Sequence, residues 1–101
     1  MPAAQQELVD FLSQHPECHL INRSAVHMRI LDAIEHEARS FNDLCSYFHT
    51  IDSPDLLEIL SSLEKTGLIE CFDTDGKHVY CATAKAKEFM QKFRAAKKST
   101  V

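Results

Sequence analysis

Near the N-terminus, His15-Pro16-Glu17-Cys18-His19 gathers the side-chain types that bind transition metals best. Zinc takes four Cys or His ligands, commonly a close pair joined by a second pair elsewhere. No second pair at such spacing follows, although Cys45, His49 or Cys81 could approach in space, so His15, Cys18 and His19 read as loop residues around a partly buried thiol. Cys71 and Cys81 fall on neighbouring strand segments and are expected to share a face. There they would form either a redox pair or, the favoured reading, small apolar fillers. His27, His36 and His78 read as surface residues, because no Ser, Cys or Asp partner stands at a motif spacing that would make one of them a base. Nucleophile elbow, phosphate loop and paired-carboxylate motifs are all missing. The expectation is a protein that is not an enzyme and uses no metal or cofactor.

The elements that must position these residues belong to a chain of 101 residues, the size of one domain. Apolar residues make up 45% and charged residues 26%, as in ordinary globular proteins. With no apolar run of membrane-spanning length and no basic-then-apolar leader, a cytoplasmic protein with reduced thiols is expected. The formal charge of −4 is unevenly placed. Residues 1–84 hold 14 acids and 5 bases, a net of −9, whereas residues 85–101 hold 6 bases and one acid, a net of +5. An acidic body is a poor default binder of polyanions, since each phosphate contact wants a cation.

Apolar spacing predicts a helix over 3–14, ended by Pro16, then a connector over 15–22. A second amphipathic helix is expected over 24–37, with Val26, Ile30, Leu31 and Ile34 inward and Asn22 or Ser24 as cap. Ser40 and Asp43 form the ends of a capping box for a short helix carrying Leu44, Cys45 and Phe48. Ser53-Pro54 opens the next helix, which presents Leu56, Ile59, Leu60 and Leu63 inward and stops at Gly67. The period then falls to two: Ile69, Cys71, Val79 and Cys81 are expected on one face of a hairpin, with Asp73–Lys77 as its turn. A last helix over 84–98 carries Ala86, Phe89, Met90 and Phe93 as its stripe.

In this order, Ile30-Leu31, Ser40 to Asp43-Leu44, Ile51, and the run Leu56, Leu60, Leu63-Glu64-Lys65-Thr66-Gly67-Leu68-Ile69 resemble the winged helix-turn-helix of small prokaryotic transcription regulators of the MarR and ArsR type. The resemblance covers residues 24–82 and implies a mostly α fold with a small β-hairpin wing, flanked by N- and C-terminal helices in one domain over 1–101. It further implies that the 53–66 helix enters the major groove of double-stranded DNA while the wing touches the backbone. Carried over by position, the DNA-binding residues would be Arg39, Ser53, Ser61, Ser62, Lys65, Lys77 and His78, with the last-helix lysines on phosphates. A homodimer would form through Leu8, Phe11, Leu12, Phe89, Met90 and Phe93, unless that stripe packs on its own chain. Residues 53–66 carry a net −2, however. The alternative is therefore a winged-helix interaction module without DNA binding, whose acidic helix docks a basic protein partner through Asp55 and Glu58.

Overall fold

The computed structural model describes residues 3–98. Helix α1 (Ala3–Gln14) is followed by a short α2 (Cys18–Asn22) inside the stretch expected to be a connector. Helix α3 (Ala25–Ile34) is capped by Ser24, whose hydroxyl accepts from the His27 amide. It ends three residues before the expected boundary, beside a buried Glu35. Strand β1 (Arg39–Ser40) leads directly into α4 (Phe41–Tyr47), where Ser40 accepts from the Asp43 amide at 3.1 Å. Helix α5 (Ser53–Lys65) has Asp52 rather than Ser53 at its N-cap position, and Pro54 sits in the first turn. Strands β2 (Ile69–Thr74) and β3 (Lys77–Ala82) and helix α6 (Ala84–Lys98) complete the order. The result is mostly helical with a small antiparallel sheet.

Two chain reversals set the geometry around α5. At its C-terminus Gly67 adopts φ +77°, the left-handed conformation that costs glycine least. The Leu68 amide donates to Leu63 O and the Gly67 amide to Glu64 O. That is the paired closure of a Schellman end, with Leu63 and Leu68 both buried against it. The β2–β3 turn is only two residues long, Asp75-Gly76, both at positive φ (51° and 75°). A turn of this mirror-image type matches the right-handed twist of the strands it joins.

Turn length decides which side chains share a face. With Thr74 opposite Lys77, the register sets Cys71 against Tyr80 and Glu70 against Cys81. Cys71 and Cys81 therefore lie on opposite faces, contrary to the single face expected from a five-residue turn. A one-residue change of register flips every side chain of a strand. The inward residue of β3 is accordingly Tyr80, not Cys81. β3 is central: β1 pairs on its other edge, Arg39 opposite Tyr80 and Ser40 opposite Val79. That third strand had no signal in the sequence, being two residues long.

One hydrophobic cluster runs through the described residues. Phe11 and Leu12 of α1 join Ile30, Leu31 and Ile34 of α3, Leu56, Leu60 and Leu63 of α5, and Phe89 and Met90 of α6. Phe11 stacks on Phe89 with centroids 5.6 Å apart. The basic last helix docks on the acidic body by specific pairs. Arg94 reaches Asp32, and its Nη1 lies 2.8 Å from Glu35 Oε1 and 2.7 Å from Oε2. Lys85 bonds Glu17 and the Thr66 carbonyl, closing the end of α5. No helix among the described residues is long and apolar enough to cross a membrane.

Candidate functional site

Burying Leu56, Leu60 and Leu63 turns the opposite face of α5 to solvent, with Asp55, Glu58, Ser61 and Lys65 exposed along it. Asp52 and Glu64 add two further exposed acids at its ends, and Asp73 and Asp75 project from the hairpin. Leu57 stands 47% exposed and Phe72 50% exposed, so apolar area is interleaved with the carboxylates. This surface coincides with the one the sequence resemblance marks as functional.

The residues expected to grip DNA divide into two groups. Ser53, Ser61, Lys65 and Lys77 are exposed, and neither lysine has an ion pair among the described residues. The other three are engaged within the chain. Arg39 Nε donates to the Ala33 carbonyl at 2.7 Å, and its guanidinium lies over the Tyr47 ring at 5.6 Å. Ser62 donates to the Ile59 carbonyl at 3.0 Å and bonds His27. His78 Nδ1 sits 2.7 Å from Asp73 Oδ1 and 3.9 Å from Cys71 Sγ, so the ring faces its own hairpin. The last-helix cations expected on phosphates are partly occupied too: Arg94 and Lys85 as described, and Lys92 near Glu88 at 3.9 Å.

The apolar stripe expected to build a dimer is corrected by the packing. Phe11, Leu12, Phe89 and Met90 are 7% exposed or less, buried between α1 and α6 of the same chain. Burying them intramolecularly satisfies the hydrophobic drive that a partner would otherwise answer. Leu8 and Phe93 stay partly open, beside Val9, along a groove between the same helices.

The feature sequence reasoning missed is His27. It was expected at the surface, yet it is half-buried between α3 and α5. Its Nδ1 is 2.6 Å from Ser24 Oγ and its Nε2 is 3.0 Å from Ser62 Oγ. Because Ser62 donates to Ile59, its oxygen must accept from His27, which assigns the proton to Nε2 and leaves Nδ1 to accept from Ser24. Burial holds the imidazole below its ordinary range, in keeping with a neutral ring. The spacing of Ser24 and His27 held a signal, since a side chain at the third helical position can answer the cap; Ser62 lies too far along the chain to have been foreseen.

All four thiols are free; Cys45 Sγ lies 3.8 Å from Ser53 Oγ and Cys71 Sγ 3.9 Å from His78 Nδ1, both at the long end of sulfur hydrogen bonds. Cys18 is buried, and desolvation pushes its thiol up, away from reactive thiolate. His15 instead rests against Phe11 at 4.5 Å, and His19 is exposed. Burial also raises Cys71, and its neighbour Tyr80 is pushed up to about 12, chiefly by burial and then by Cys71. Among the described residues no three His, Cys, Asp or Glu side chains are arranged to hold a metal ion. Comparisons with protein-family models, curated proteins and solved structures find no match to this chain.

Proposed function

We propose that this chain is a winged-helix interaction module that docks a basic protein segment on α5 and the hairpin. The order α3, α4, α5, then a hairpin, with β1 pairing on β3, supports the winged-helix reading of the small sheet. One observation carries the choice of partner. The exposed face of α5 and the hairpin presents Asp52, Asp55, Glu58, Glu64 and Asp75 against Lys65 and Lys77, while Arg39 is engaged elsewhere and Asp73 and His78 pair with each other. A surface that meets phosphates needs cations there, because phosphate neutralisation supplies most of the affinity. A basic polypeptide finds the complementary field, with Leu57 and Phe72 to desolvate.

A second reading, double-stranded DNA binding, is favoured by exposed Lys65 and Lys77 on α5 and the hairpin. One experiment separates the two: salt-titrated binding of the full chain to random duplex DNA and to a nona-arginine peptide. The docking reading expects peptide binding at roughly 50 mM salt, lost at higher salt by screening, and no duplex binding. Asp55→Lys with Glu58→Lys should weaken the peptide at least tenfold, whereas Glu7→Lys with Asp10→Lys, an equal change of charge on α1, should weaken it far less. Duplex binding that Lys65→Glu abolishes would reverse the choice. A homodimer, on either reading, would use what α1–α6 packing leaves open, at Leu8, Val9 and Phe93.

A further inference from the structure

Beside the exposed face of α5, a groove of about 470 Å³ opens between α5 and the start of α3. Its apolar lining is Val26, 37% exposed, with half-buried Ile51 and Ile59. Its acidic lining is Asp52, Asp55 and Glu58, which recur every third residue and so follow one edge of the helix. No ion pair or side-chain hydrogen bond engages these three carboxylates among the described residues. The walls are pinned rather than loosely apposed. His27, next to Val26, bonds Ser62 on α5, and Ser62 in turn bonds the carbonyl of Ile59.

Apolar carbon beside unpaired carboxylates is the complement of a long cationic side chain, whose stem is apolar and whose head is charged. A purely apolar occupant would leave the acids facing desolvation without a partner. A bare cation would leave Val26, Ile51 and Ile59 in water. Of the two long cations, arginine fits better: its planar fork meets carboxylates on two sides and is less strongly hydrated than an ammonium.

We infer that this groove is an arginine pocket. The methylene stem of one arginine of the docked segment lies on Val26, Ile51 and Ile59, and its guanidinium meets Asp55 and Glu58, with Asp52 adding field. The inference rests on the reading that α5 meets a basic polypeptide, and it names where the anchoring side chain goes.

The test is titration of the ¹⁵N-labelled full chain, followed by amide chemical shifts, with N-acetyl-arginine methylamide. N-acetyl-norleucine methylamide supplies the stem without the charge, and methylguanidinium the head without the stem. The arginine derivative should shift the amides of Val26, Ile51, Asp55 and Glu58, and bind at least tenfold more tightly than either half. Asp55→Asn with Glu58→Gln should remove the response while the remaining spectrum stays that of the folded chain. Binding by methylguanidinium as tight as the arginine derivative, or shifts confined to other surfaces, would overturn the pocket. If the derivative fails while nona-arginine still shifts α5, the pocket is wrong and the docking reading stands. If both leave α5 unmoved, both are wrong.

Discussion

At the scale of single residues, His27 shows how burial and hydrogen bonding together choose a protonation state. Its Nδ1 accepts and its Nε2 donates, so a second proton would force Ser24 to reverse its bond. Burial makes the folded ring hold a second proton less firmly than the unfolded chain does, whose value is about 6.5. Between that value and the lower folded one, the unfolded state binds more protons, and stability falls as pH falls. Thermal unfolding followed from pH 8 to pH 5 should show this loss beginning below about 6.5. In His27→Gln, which keeps an N–H for Ser62 but does not titrate, the same limb should flatten. Equal slopes for the two proteins would show that His27 has no part in it.

At the scale of elements, the hairpin depends on two residues. Asp75-Gly76 at positive φ sets the register that brings Tyr80 inward and parts Cys71 from Cys81. A Cβ on Gly76 would meet nothing within 4 Å, so substitution there tests backbone conformation alone. Gly76→Ala should cost about 1 kcal/mol, the penalty of a left-handed conformation for an L-residue. The urea midpoint should move accordingly with the slope unchanged; an unmoved midpoint would deny the turn its role. The elements were largely legible in the sequence. Pro16, Ser40, Pro54 and Gly67 each act within a few residues, so α1, α4, α5 and the hairpin fall close to where capping and periodicity put them. β1 and α2 were not legible, because two- and five-residue elements have no room for a period and exist through what they pair with.

For the whole molecule, the uneven charge holds the basic last helix to the acidic body. Arg94 brings α6 onto α3 through Asp32 and Glu35, and Glu35 is only 8% exposed. The Arg94 bond holds the Glu35 carboxyl below its usual range. Its contribution is thus complete above the unfolded value of about 4.3 and is lost as pH falls through the lower folded one. Arg94→Ala leaves the buried Glu35 carboxylate only the exposed His36 ring, 3.7 Å from its Oε1. Full burial of such a pair makes that loss about 3–5 kcal/mol; because Arg94 is 44% exposed, about 2 kcal/mol is expected. Chemical denaturation should show that loss together with a weaker acid limb below about pH 4.3. No change in either would mean that the Arg94 pairs do not hold α6 in place.

What the amino-acid order determined by itself is local: where helices start and stop, where the period changes from 3.6 to 2, and that acid and base are segregated along the chain. Each follows from the backbone geometry of a few adjacent residues or from counting. Only the tertiary structure decided which side chains are free to act. It turned Arg39, Ser62 and His78 toward partners in the same chain, buried Phe89 and Met90 against α1, parted Cys71 from Cys81, and set Val26 beside Ile59 to make an acid-edged groove. The contacts of Ser62 with His27, Phe89 with Phe11 and Val26 with Ile59 join residues far apart in the chain. Those of Arg39 and His78 and the parting of the cysteines are nearer but depend on where a helix ends and on the length of one turn, which periodicity does not record.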